Sequence, residues 1–225
     1  MTPPLGGEPP DPALGAIEAR RTARRFDPAR PLPDGWLDHL LRLAALAPSP
    51  LNLQPWRFVC VREFGNRRKL RALAFGDARL ADAPAVLIVL AYLHPDQSDL
   101  DVVLGQMLEL GAIRPDEAPK FRATAAREWA RNGGPAPRAT RSAMLAAATL
   151  MIAAEALGLA SCWLEGFDDE EVRRAFGIPD DHAVCGLLAL GFAAEPAPFP
   201  GRFGLDHVAF VEHFGQPWSP ESSAD

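Results

Sequence analysis

The sequence predicts a single α+β domain in which helices outnumber a few buried strands, and three observations carry that expectation. Residues 83–93, 160–164 and 184–190 are short, continuous apolar runs, the pattern of strands covered on both faces. Residues 140–157 are apolar nearly all round at helical length, which requires burial on several sides, either in a large core or between subunits. The composition, 48% hydrophobic and 23% charged over 225 residues, is that of a globular chain.

Asp11 before Pro12 reads as a helix start, a capping side chain followed by a residue with φ already set, and this helix ends near Arg21 with Leu14 and Ile17 as its apolar stripe. Pro33 and Asp34 open a second helix, whose Trp36, Leu37, Leu40, Leu41, Ala44 and Ala47 recur at helical spacing until Pro48 stops it. A loop then covers 48–55, followed by a strand at 57–61, a short basic helix at 66–75 and the central strand at 83–93. Ser98 with Asp101 predicts a capping box for a helix reaching Leu110, with Gly111 in the left-handed position after it. A polar helix over 115–131, with Phe121 and Trp129 among its few apolar members, suits a surface lid, and Gly133, Gly134, Pro135 and Pro137 are expected to break the chain after it. Gly158 terminates the central helix, Asp168 with Glu171 caps a helix running to Phe176, and 206–214 is expected to be extended. The domain organisation expected is a disordered leader over 1–12, one domain over 13–218 with 95–137 as its cover, and a disordered tail over 219–225.

Several function classes are disfavoured. A formal net charge of −6 argues against a partner held through nucleic-acid phosphates. Cys60, Cys162 and Cys185 are odd in number and widely spaced, which indicates neither a disulfide framework nor a zinc site, and all three read as small core residues. His39, His94, His182, His207 and His213 are scattered without metal-ligand spacing, so no metal is expected. No nucleophile elbow, Walker loop or glycine-rich dinucleotide turn is present. Residues 1–12 lack the basic-then-apolar pattern of a secretory signal, and the weakly polar run 142–164 contains Glu155 and Gly158, so a cytoplasmic protein without a membrane partner is expected.

Two constellations carry chemical content. Arg20, Arg21, Thr22, Arg24 and Arg25 offer guanidinium forks and a hydroxyl within six residues, the donors a phosphate needs, although a solvated basic face reads the same way. In Pro48-Ser49-Pro50-Leu51-Asn52-Leu53-Gln54-Pro55-Trp56, three prolines pin Ser, Asn and Gln between a helix and a strand. Such a loop suits either the orientation of a planar heterocycle or a rigid turn that satisfies its own backbone.

Arg20-Arg21-Thr22-Ala23-Arg24, an Ala-Pro-Ser helix end, and Asn52-x-Gln54-Pro55-Trp56-x-Phe58 together resemble the opening of the nitroreductase family of flavin mononucleotide (FMN) enzymes. Trp129, Ala154-Glu155-Ala156-Leu157-Gly158-Leu159, Glu165-Gly166-Phe167-Asp168, Phe176-Gly177-Ile178-Pro179 and Leu190-Gly191 follow in that family's order. The resemblance implies a three-layer fold with a mainly antiparallel central sheet, an obligate helix-exchanged homodimer, and FMN at the subunit interface. It further implies NADH or NADPH as co-substrate and, by a ping-pong mechanism, reduction of a small nitroaromatic, quinone or similar conjugated acceptor.

Carried over by position, Arg20, Arg21, Thr22 and Arg202 fall at the flavin phosphate and ribityl end. Arg24 falls at the pyrimidine edge, where a fixed cation stabilises reduced flavin. Pro48, Ser49, Pro50 and Asn52 come from the opposite subunit, while Leu164, Glu165 and Gly166 pass the redox-active nitrogen, with a backbone N–H as donor. Arg24 and Gly166 are thus the expected catalytic positions. Two departures stand out: Gly76 and Arg79 replace an Asn and a Lys, and Phe199-Pro200 stands where many relatives have a second basic residue. They keep open the alternative of a flavin-binding protein without turnover, while Arg20-Arg21 and Gln54-Pro55-Trp56-Arg57-Phe58 also resemble the opening of a flavin-fragmenting benzimidazole synthase, whose usual Gly-containing loop is here Pro50-Leu51-Asn52-Leu53.

Overall fold

The computed structural model describes residues 12–129, 131 and 134–219; the expected leader and tail lie outside it, Pro12 and Ser219 apart. Strands β1 (Trp56–Val61), β2 (Ala85–Tyr92), β3 (Ala160–Leu164) and β4 (His182–Gly191) form one antiparallel sheet in the order β1-β2-β4-β3. The helices are α1 (Pro12–Ala19), α2 (Trp36–Ala44), α3 (Phe64–Leu73), α4 (Arg79–Asp82), α5 (Pro95–Ser98), α6 (Leu100–Glu109), α7 (Ala118–Trp129), α8 (Pro135–Ala156), α9 (Asp169–Phe176) and α10 (Leu205–Val208).

Period-two alternation divides the central strands between two cores. Leu87, Val89, Leu188 and Leu190 pack with Leu40, Leu104, Trp129 and Leu150 from α2, α6, α7 and α8. On the opposite face Val86, Ile88, Leu187 and Ala189 meet Leu70, Leu80 and Val172 from α3, α4 and α9. The result is three layers, helix on sheet on helix, and β2 is buried from Ala85 to Ala91 as its unbroken apolar run requires.

Four sequence expectations are corrected. Pro135 and Pro137 do not break the chain but open α8, because the first-turn N–H groups of a helix have no internal acceptor and proline loses nothing there. Ser98 does not cap α6: its Oγ lies 2.9 Å from the Tyr92 hydroxyl and 3.0 Å from an Asp99 carboxylate oxygen. The stretch 206–214 is not a strand; α10 and a bridge between Phe210 and Pro217 replace it, with the positive-φ Gly215 turning the chain back on itself. Cys60 is exposed, being on the edge strand β1, whereas Cys162 is buried and Cys185 half-buried.

Other expectations hold. Glu171 donates its N–H to Asp168 Oδ1 at 3.0 Å, and Gly111, Gly158 and Gly177 adopt positive φ after their helices. Residues of α6 and α7 are tied into the core by Leu100, Leu104, Ala125 and Trp129, and the Trp129 indole N–H donates to the Leu93 carbonyl at 2.8 Å. Trp129 is therefore a core anchor. Among the described residues no helix is long and apolar enough to cross a membrane.

Candidate active site

After α1 the chain turns extended and docks beside β3. Thr22 forms a parallel bridge with Ser161, and the Ala23 N–H donates to the Ser161 carbonyl at 2.9 Å. Ala23 and Phe26, each 2% exposed, lock this segment into the core, and Asp27 and Ala194 pair its far end with the chain leaving β4. Ala23 and Phe26 are three residues apart with a bend at Arg24 between them, so the segment is not a regular strand, and Arg20, Thr22 and Arg24 are left outside the core.

These three line a cavity of about 210 Å³ with Arg21, Ala23, Arg79, Ala197, Pro198, Pro200 and Arg202. The structure thus gathers five predicted cationic groups that arrive from α1, α4 and the C-terminal segment. Their states differ. Arg79 is gripped by Asp77, with Nε 2.9 Å from Oδ1 and a terminal nitrogen 2.5 Å from Oδ2. That bond holds the Asp77 carboxyl below its ordinary range and raises Arg79, so the expected charge at Arg79 is largely cancelled. Arg24 makes no hydrogen bond or ion pair among the described residues. Arg21 donates to the carbonyls of Glu18 and Arg20, at 2.6 and 2.9 Å, and closes the end of α1. Glu155 of α8 senses Arg20 and Arg21, which lower its pKa, but burial outweighs them and its carboxyl is raised.

The 48–55 loop does not line this cavity within one chain. Leu51, Asn52 and Gln54 all hold positive φ, a concentration of strain that ligand-holding loops often carry. Ser49 Oγ accepts from the Gln54 N–H at 3.0 Å, and the Gln54 amide donates to the Asn52 carbonyl at 3.2 Å. Ser49 and Gln54 therefore serve the turn, whereas the exposed Asn52 side chain is left uncommitted.

Leu164, Glu165 and Gly166 also lie outside the cavity lining. Leu164 is only 7% exposed and points into the core, so its side chain is not a ligand contact. Glu165 accepts from the Trp163 indole N–H at 2.8 Å. Gly166 is exposed, and no group among the described residues accepts from its N–H. Burial raises the Cys162 and Cys185 thiols, the latter to about 11, so neither is a poised thiolate. Among the described residues no three His, Cys, Asp or Glu side chains are grouped to hold a metal. Sequence reading missed Asp77; an acid two residues before a candidate arginine was the available signal.

The profile of the nitroreductase family matches residues 17–192. A Thermus thermophilus protein named NADH dehydrogenase is 36% identical over 198 residues, covering 87% of this chain and 94% of its own. A nitroreductase-like protein from Streptococcus mutans superposes with a TM-score of 0.81 at 26% identity, over 89% of this chain and 98% of that one. A nitroreductase structure from Exiguobacterium sibiricum, solved in complex with FMN, has a TM-score of 0.79 at 22% identity and covers 88% and 96% of the two chains. The chain belongs to the nitroreductase family.

Proposed function

We propose that this protein is a cytoplasmic, FMN-dependent oxidoreductase that uses NADH or NADPH to reduce nitroaromatic, quinone or similar conjugated acceptors, working as a homodimer. The observation that carries the reading is the cavity in which Arg20, Thr22, Arg24 and Arg202 converge without a carboxylate partner in bonding range. Guanidinium forks and a hydroxyl from separate segments fit a phosphate monoester. The FMN-bound relative and the NADH-named one support the same chemistry.

Bound FMN would supply two-electron hydride chemistry between the nicotinamide and an acceptor. Arg20, Thr22 and Arg202 would hold its phosphate end, Arg24 would supply positive charge beside the ring, and Gly166 would offer a backbone N–H. At about 210 Å³ the cavity is smaller than a typical cofactor site, so one protomer supplies part of it and the partner's 48–52 segment, with Asn52, supplies the rest. Leu14 and Ile17 on α1, Leu145 on α8, and Leu205, Val208 and Phe214 near the C-terminus are 47 to 92% exposed, an apolar surface that a second copy would cover. The 95–137 segment then serves as cover over the acceptor slot and sets acceptor choice.

A flavin-binding protein without turnover is the second reading, favoured by the absent side chain at Gly76 and the neutralised Arg79. Steady-state assays separate the two. Parallel double-reciprocal lines for NADH against a nitroaromatic or quinone support the oxidoreductase, whereas firmly bound FMN with no NADH or NADPH consumption supports the second reading. Because the pair is net neutral, removing both charges together (Asp77→Asn with Arg79→Gln) should change FMN affinity by less than about threefold, measured by quenching of flavin fluorescence, whereas Arg79→Ala alone strands the Asp77 carboxylate and should weaken FMN binding.

A further inference from the structure

Arg21 and Arg202, far apart in sequence, both approach one aromatic ring. The Arg21 guanidinium carbon lies 4.6 Å from the centroid of Phe199, and that of Arg202 lies 5.6 Å from it. The only other contact of the Arg202 side chain among the described residues is a 2.6 Å hydrogen bond to the neighbouring Gly201 carbonyl. Two cations drawn to the same place repel each other, and the negative face of an aromatic ring offsets part of that cost.

The contrast with Arg79 gives this arrangement meaning. A carboxylate such as Asp77 orients a guanidinium by neutralising it, which removes the charge an anionic ligand would use. An aromatic ring orients a guanidinium and leaves its full charge in place. We propose that Phe199 is the positioning residue of the anion site: it holds Arg202 at the cavity rim, beside an Arg21 that two backbone carbonyls already orient, and leaves both charges uncancelled for a phosphate monoester. The inference rests on the FMN reading given above.

The test compares FMN with riboflavin, which is the same ring system without the phosphate, by titrating parent and variants and following flavin fluorescence. The parent is expected to prefer FMN. Phe199→Ala should weaken FMN binding by about tenfold, the range of one or two such contacts, and leave riboflavin affinity unchanged. Phe199→Tyr, which keeps the ring face, should restore the parent's preference, and Phe199→Leu, which keeps the bulk alone, should not. Phe199 is 58% exposed, so these variants are expected to fold. A Phe199→Ala or Phe199→Leu protein with the parent's full FMN-over-riboflavin preference would overturn the role of Phe199 alone. A parent that binds the two flavins equally would overturn the FMN reading, and this inference with it.

Discussion

Gly186→Ala is expected to lower the unfolding temperature by about 6–12 °C, the equivalent of about 3 kcal/mol in a chain of this size. A Cβ placed there would sit 2.3 Å from Cζ2 and 2.7 Å from Cε2 of Trp163, closer than atoms can pack. The position is special because β4 carries an extra residue: Val89 pairs with Gly186 but Leu90 with Val184, so Cys185 bulges and twists the strand. Trp163, opposite Leu188 on β3, lays its indole across the space that Gly186 leaves open. Relief requires the indole to move, and its N–H is the group that holds the Glu165 carboxylate. The variant should therefore also lose activity, because Glu165 and Gly166 are displaced with it. Differential scanning calorimetry and single-turnover reduction by NADH measure the two effects. An unchanged melting temperature would show that Trp163 has another place to go.

Arg24→Ala is expected to make the bound flavin harder to reduce by about 30–60 mV, the two-electron equivalent of one charge-assisted hydrogen bond of about 1.5–3 kcal/mol. The sign follows from charge. Reduction places negative charge on the pyrimidine side of the ring, Arg24 is an uncommitted cation lining the cavity, and losing it raises the energy of the reduced form only. Most FMN affinity should survive, since the phosphate contacts lie with Arg20, Thr22 and Arg202. Equilibration with a redox dye reads the potential, and a potential equal to the parent's with FMN fully bound would remove Arg24 from this role.

Where local chemistry alone decides a feature, the sequence was a sufficient guide. Asp168 caps α9 because an Asp before a helix-forming run has an orphan N–H within reach, and residues 160–164 form β3 because a short apolar run bounded by Gly158 and Glu165 has few other uses. Arg20, Thr22 and Arg24 share a cavity because the buried Ala23 and Phe26 anchor the segment that carries them. What escaped depends on partners that lie beyond local spacing. Pro135 is a breaker or a starter according to what precedes it, and only the helix itself decides. The silence of Arg79 depends on the rotamer that brings it to Asp77, and the role of Phe199 depends on a C-terminal segment folding back to Arg21. Residues 206–214 failed as a strand because a short mixed segment reads the same whether it extends or makes one helical turn and folds back at a glycine.

The central claim is that the arginine-lined cavity serves a flavin that oxidises reduced nicotinamide. It is tested most directly by loading the purified protein with FMN, removing excess, and titrating it without oxygen, first with NADH and then with NADPH, while recording the visible spectrum. The account predicts the absorption of protein-bound oxidised flavin, bleached stoichiometrically by at least one of the two nucleotides. A protein that retains no FMN, or one whose bound flavin neither nucleotide bleaches, would contradict it.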